Sequence, residues 1–175
     1  MRLFVAIRPP RLVRERLLAM MGGVSGARWQ TDDQLHLTLR FIGKADRHLT
    51  ADIAAALAGI SQPPFEIELS GVGWFESRGR PDTIWAGVTP QEPLKELHKK
   101  IDRALDRVGV TPDRRAFVPH ITLARLKTSG PLGGLLEQSG ALASPPFAVD
   151  AFGLYESDLT PGGAVYSLID RYTLS

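Results

Sequence analysis

The chain contains no cysteine. Disulfides, thiolate metal sites and a cysteine nucleophile are therefore excluded, and the absence fits a reducing compartment. Long apolar runs are missing too: nothing approaches the roughly 20 apolar residues that a membrane helix needs. The opening apolar stretch is short for a secretory leader, and Arg8-Pro9-Pro10 follows at once. Neither charge sign dominates: 21 Lys and Arg face 19 Asp and Glu, for a net charge of +2 and a pI near 9.1. That balance permits an anionic substrate without demanding one. There is no His-Glu-x-x-His, no Walker-type glycine loop and no Gly-x-Gly-x-x-Gly, so zinc, ATP and dinucleotide chemistry have no motif behind them. These absences lead us to expect a soluble, cytoplasmic, monomeric protein without metal or cofactor.

What is present is one pattern written twice. His36-Leu37-Thr38-Leu39-Arg40-Phe41 returns 84 residues later as His120-Ile121-Thr122-Leu123-Ala124-Arg125. Other echoes keep the same order. Pro63-Pro64-Phe65 returns as Pro145-Pro146-Phe147, Phe75-Glu76-Ser77 as Tyr155-Glu156-Ser157, and Phe4 to Pro9 resembles Ile84 to Pro90. Offsets of 80 to 84 in a chain of 175 residues describe a two-fold duplication, with halves of roughly 1–82 and 83–175 in a single bilobal domain. An apolar fraction of 43% is enough to pack a core for such a unit.

Hydrophobic periodicity gives the elements. Strands are expected at residues 2–8, 35–42, 65–75, 83–88, 120–126, 147–156 and 164–173. Helices are expected at 10–21, 49–59 and 91–108, the last carrying the stripe Leu94, Leu97, Ile101, Leu105 and Val108 before Gly109. A weaker helix is expected at 131–138, where two glycines oppose it. Mixed strands and helices with a hairpin closing each half predict an α+β fold of two sheet-bearing lobes.

Strand side chains alternate between faces. Strict alternation sets Leu35, Leu37, Leu39 and Phe41 on a core face and His36, Thr38 and Arg40 on the other. In the second copy, His120 and Thr122 share the polar face, and Arg125 falls on the opposite one. If a pseudo-two-fold relates the halves, the polar faces meet across one cleft holding two imidazoles and two hydroxyls. One neutral histidine can take a proton from water while the other, protonated, gives one to a leaving oxygen. The threonine hydroxyls can stabilise charge on non-bridging phosphate oxygens. By residue chemistry alone, either histidine can be the acid.

These residues resemble the 2H phosphoesterase superfamily, and their spelling is similar to the RNA 2′,3′-cyclic phosphodiesterases, also called 2′-5′ RNA ligase-like proteins. RLFVAI, HLTLRFIG, IWAGV, FVPHITLAR and the late LYES…PGGAVYSL segment carry the likeness along the chain. The resemblance implies a bilobal fold around a central cleft and metal-independent opening of a 2′,3′-cyclic phosphate to a 2′-phosphomonoester. It implies that His36 is the proton donor, His120 the proton acceptor, and Thr38, Thr122 and Arg125 the phosphate ligands. Its substrates would be RNA ends bearing a 2′,3′-cyclic phosphate, or cyclic nucleotides. Arg40 has the phase of the cleft but less support from the likeness, and a surface salt bridge is an equal alternative for it. Phe41 is a candidate base stacker, although its phase points to the core. Lys44, Arg47, Arg114, Arg115, Lys127 and the Arg78-Gly79-Arg80 loop are further candidates for RNA phosphates. His98, His48, Trp74 and Trp85 read as structural. The same site also suits 2′-5′ RNA ligation in the reverse direction, or an RNA-end binder without turnover.

Overall fold

The computed structural model describes residues 1–127 and 141–175. The helix expected at 131–138 lies outside the described residues. Strand β1 (Arg2–Ile7) is buried from Leu3 onward and ends before Pro9, which has no N–H for a ladder. Helix α1 (Arg11–Ala19) follows and buries Val13 and Leu17. Strands β2 (Ala27–Trp29) and β3 (Leu37–Lys44) flank a short 3-10 turn over Asp32–Gln34. Helix α2 (Arg47–Ala58) is capped by Asp46, whose carboxylate accepts from the Leu49 N–H at 2.8 Å.

Strands β4 (Phe65–Ser77) and β5 (Arg80–Thr89) form a hairpin closed by Arg78 and Gly79. Both turn residues have positive φ, 55° and 76°, as a two-residue turn matched to strand twist requires. The expected Glu76–Asp82 loop is therefore mostly strand. Helix α3 (Glu92–Arg107) buries Leu94, Leu97, Ile101, Ala104 and Leu105, the stripe read from the sequence with Ala104 added. Strand β6 (His120–Leu126) carries the second motif. The single strand expected at 147–156 is interrupted at Asp150, giving β7 (Phe147–Val149) and β8 (Ala151–Thr160). Strand β9 (Gly163–Thr173) pairs along β8.

All the pairings are antiparallel, and the strand order is β7-β4-β5-β6-β3-β1-β8-β9, with β2 on β6. The fold class is α+β, as expected. A five-stranded flank, β2 included, and a four-stranded one meet at one residue pair, Leu37 opposite Ile121. Each flank mixes early and late strands: β4 lies with β5, β6 and β7, whereas β8 and β9 lie with β1 and β3. The large core packs Leu17, Leu57, Leu97 and Ile101 of the helices against Leu3, Val5, Ile7, Leu37, Leu39, Ile121 and Leu123 of the strands. Alternation sends Phe4 and Ala6 to the other face, where they form a separate small cluster with Tyr155. That second face carries the candidate site.

Candidate functional site

The seam pair fixes how the two motifs meet. Around the pair of Leu37 and Ile121, His36, Thr38 and Thr122 line one cavity, and Thr38 and His120 line the next. Leu37 and Ile121 point into the core, so the four polar residues share the opposite face. No further β3–β6 pair forms.

Beyond each threonine the alternation breaks, and it breaks alike in both copies. On β3, Thr38 faces Ala6 and Arg40 faces Val5, so Leu39 is an extra residue. On β6, Thr122 faces Trp85 and Ala124 faces Ile84, so Leu123 is extra. Each is a β-bulge, which leaves two consecutive residues on the core side and reverses the phase after them. Leu123 and Ala124 are both fully buried, and Arg125 emerges on the cleft face. Arg125 therefore lines the cavity that strict alternation denied it. Its Nη1 donates to Thr83 Oγ1 at 3.2 Å.

The same bulge exchanges Arg40 and Phe41. Arg40 was expected in the cleft, but its side chain is only 4% exposed. It donates through Nη1 to Asp102 at 3.0 Å and through Nη2 to the Thr111 carbonyl at 2.6 Å. Arg40 still lines the cavity that holds His120, but these bonds commit its guanidinium to an ion pair with the half-buried Asp102, the salt-bridge role that is its alternative reading. Phe41 was placed with the core leucines by phase and is instead 56% exposed. At matching positions after the two motifs, the cleft receives an aromatic ring from one copy and a guanidinium from the other.

A cavity of about 310 Å³ is lined by His36, Thr38, Thr122, Arg125, Phe41 and Tyr166, among others. A second, of about 290 Å³, holds His120 and shares Thr38, Phe41 and Arg115 with the first. Of the basic candidates, Arg115 thus reaches both cavities; it is also paired with Asp113 at 3.0 Å. Arg78 is a turn residue, and Lys44 lines a separate surface hollow with Arg2 and Asp158. Among the described residues, no group of three or more His, Asp or Glu gathers as a metal site.

Both histidines stand in aromatic surroundings. Tyr155, Tyr166 and Phe4 meet His36 edge-on, with ring centroids 4.7, 5.5 and 6.0 Å away. Phe75 meets His120 edge-on at 4.9 Å, and Trp85 lies 5.9 Å away. Tyr155 and Phe75 are the first residues of the repeated x-Glu-Ser echo, so that echo marks the walls of the two imidazoles. Gly73 makes room for Trp85: a Cβ there would come within 2.4 Å of the indole.

Burial lowers the pKa of His36 to about 4, assisted by Arg8 and Arg14 and opposed by the Gln34 backbone and Asp33. Burial also lowers His120, opposed by its bond to Val118 and assisted by Arg125. His120 Nδ1–H donates to the Val118 carbonyl at 2.6 Å, which leaves Nε2 with its lone pair free. His36 Nδ1 faces the Gln34 backbone in the same i−2 relation without a formed hydrogen bond.

Sequence reading missed Arg8, Tyr155 and Tyr166. Arg8 Nη1 donates to the Asp32 and Leu35 carbonyls at 2.6 and 2.8 Å, fixing the segment that delivers His36. Only the repeated x-Glu-Ser signalled Tyr155, and nothing short of a structure signals Arg8.

This arrangement has counterparts among known proteins. Residues 15–161 match the family described as the 2′-5′ RNA ligase superfamily. An RNA 2′,3′-cyclic phosphodiesterase of Archaeoglobus fulgidus is 32% identical over 170 residues, which is 95% of this chain and 96% of the relative. One from Escherichia coli is 30% identical over 185 residues, covering 99% and 97%. Among solved structures, E. coli LigT complexed with 3′-AMP superposes with a TM-score of 0.79 at 30% identity, covering 99% of this chain and 98% of that one. A Thermus thermophilus protein superposes at 0.84 with 26% identity, covering 99% and 97%. With the match running through both His-x-Thr strands and the shared architecture, the chain belongs to the 2′-5′ RNA ligase superfamily.

Proposed function

We propose that this chain is an enzyme that hydrolyses RNA or nucleotide 2′,3′-cyclic phosphates to 2′-phosphomonoesters, with two histidines and no metal. The observation that carries the reading is the seam: beside the pair of Leu37 and Ile121, His36, Thr38 and Thr122 line one cavity and His120 lines an adjoining one that shares Thr38. Relatives named RNA 2′,3′-cyclic phosphodiesterase supply the substrate class.

In the proposed step, His120 Nε2 takes a proton from water as the water oxygen bonds to phosphorus. The P–O3′ bond breaks in line with that attack, and His36 gives its proton to O3′. Thr38, Thr122 and Arg125 bind the non-bridging oxygens, Arg125 through charge-assisted bonds. The Val118 bond supports His120 as acceptor, because it holds the tautomer with a free Nε2. The cyclic phosphate anion is what restores the proton to His36, against the burial that removes it in the free protein. Two copies of one unit, residues 1–82 and 83–175, in one bilobal domain account for the matching bulges. The absence of cysteine supports a cytoplasmic setting, and we take the working state to be a monomer. The test is turnover of a 2′,3′-cyclic nucleotide in EDTA, with the product identified by phosphorus NMR. No turnover, or a 3′-phosphate product, would overturn the reading.

The pH profile follows from the histidines. The reaction needs one imidazole charged and one neutral, so kcat/KM peaks between their two pKa values in the free protein. Burial sets both below 6.5. The kcat/KM optimum is therefore expected on the acid side of 6.5, with the kcat optimum at higher pH because the bound anion favours imidazolium. A kcat/KM optimum above neutrality would contradict this account.

Phe41 supplies the base contact, since its ring is exposed beside Thr38 in both cavities. Base–aromatic stacking is worth about 1–3 kcal/mol by alanine substitution. Phe41→Ala is expected to raise KM about tenfold with little change in kcat, and Phe41→Trp to keep KM near wild type.

A further inference from the structure

The segment from Thr111 to Pro119 has no regular secondary structure, yet it delivers His120 and the Val118 carbonyl that sets its tautomer. Val118 itself is 40% exposed, so its own burial does little to hold that carbonyl. The segment is held from β3 and α3. At its start, the Thr111 carbonyl accepts from Arg40, whose other arm is paired with Asp102 at 3.0 Å. Near its end, Phe117 lies flat on His98, with ring centroids 4.2 Å apart and an interplanar angle of 5°. His98 Nε2 lies 3.1 Å from the second oxygen of the same Asp102. His98 Nδ1–H donates at 2.7 Å to the carbonyl of Leu39, the extra residue of the β3 bulge. One carboxylate thus organises two side chains. Between them they grip the β3 bulge and both ends of the segment before His120.

We infer that Asp102 and His98 of α3 and Arg40 of β3 form a positioning cluster for the reaction: together they fix the Val118 carbonyl that selects the His120 tautomer and the bulge that turns Phe41 into the cleft. None of the three is assigned contact with the reacting atoms. The inference rests on His120 being one of the acid–base pair. His98 is the place to test it, because removing Asp102 would strand the buried Arg40 guanidinium and so disturb the fold as well.

The full chain with ring-15N histidine is compared as wild type, His98→Ala and His98→Asn. The readouts are kcat and KM on cytidine 2′,3′-cyclic phosphate, and the His120 ring nitrogen shifts. In His98→Ala, the Nδ1–H tautomer of His120 is expected to give way to a mixture. Its kcat should fall about tenfold while KM stays within threefold. His98→Asn can still offer an N–H to the Leu39 carbonyl and is expected to recover part of both. A His120 tautomer unchanged in His98→Ala overturns the inference, whether kcat falls or not. So does a loss of thermal stability with kcat within twofold of wild type. Absence of turnover by wild type would instead strike the proposed activity, and the nitrogen shifts would still decide the positioning claim.

Discussion

Replacing either His36 or His120 with alanine is expected to lower kcat by about 10²–10⁴-fold, the range of one general acid or base. The double replacement should fall little further, because donor and acceptor act in the same displacement. Steady-state rates on a 2′,3′-cyclic nucleotide measure this, with circular dichroism to show that the fold persists. Multiplicative losses, or a single variant with full activity, would mean that the two imidazoles do not form one unit. His36 has a second, separable signature. Its folded pKa, near 4, lies below the ordinary 6.5, so the folded protein binds fewer protons at this group than the unfolded chain. The stability linked to it is complete above 6.5 and is lost as pH falls through 4. The His36→Ala protein should therefore lose stability less steeply than wild type across that window, as read by denaturant midpoints.

Asp102→Ala is expected to destabilise the protein by about 3–5 kcal/mol, because it strands a buried cation. The Arg40 guanidinium is 4% exposed and keeps only the Thr111 carbonyl when the carboxylate is gone. Removing both charges should cost less: Arg40→Met with Asp102→Leu leaves no unpaired ion and fills similar volume. Urea titrations of the two single variants and the double variant measure the difference. If Asp102→Ala loses under about 1 kcal/mol, solvent reaching the half-exposed Asp102 side screens the pair in spite of the burial of Arg40. The double variant also separates stability from catalysis, since it should fold yet lack the grip of Arg40 on Thr111.

The three helices among the described residues are legible in the sequence because each buries a stripe spaced for one face, as Leu94, Leu97, Ile101 and Leu105 do on α3. The paired histidines are legible because the same string occurs twice. The positions after them are not. Period-two reasoning assumes an unbroken pleat, and bulges at Leu39 and Leu123 break it in a way that no residue type announces. A leucine in a bulge reads like any other core leucine. Arg40 and Phe41 therefore exchange faces relative to expectation, and Arg125 joins the cleft for the same reason. Strand β2 escapes notice because Ala27-Arg28-Trp29 is too short to show alternation; its place is set by pairing with β6. The interruption at Asp150 is likewise decided by tertiary pairing, as β7 leaves for β4 while β8 joins β1.

The interleaving of early and late strands has a consequence for biosynthesis. Strand β1 lies between β3 and β8, and β8 starts only at Ala151. A ribosome adding roughly 5–20 residues per second takes about 7–30 s to travel from one to the other. Throughout that time one edge of β1 has no native partner, although its residues Leu3 to Ile7 are among the most apolar of the fold. One edge of β4 pairs with β5 across its two-residue turn, but the other waits for β7, which starts at Phe147. Nascent chains stalled before Ala151 should therefore be captured by holdase chaperones and cleaved by protease. Release to the resistant state should come as a single step once β8 and β9 have left the exit tunnel.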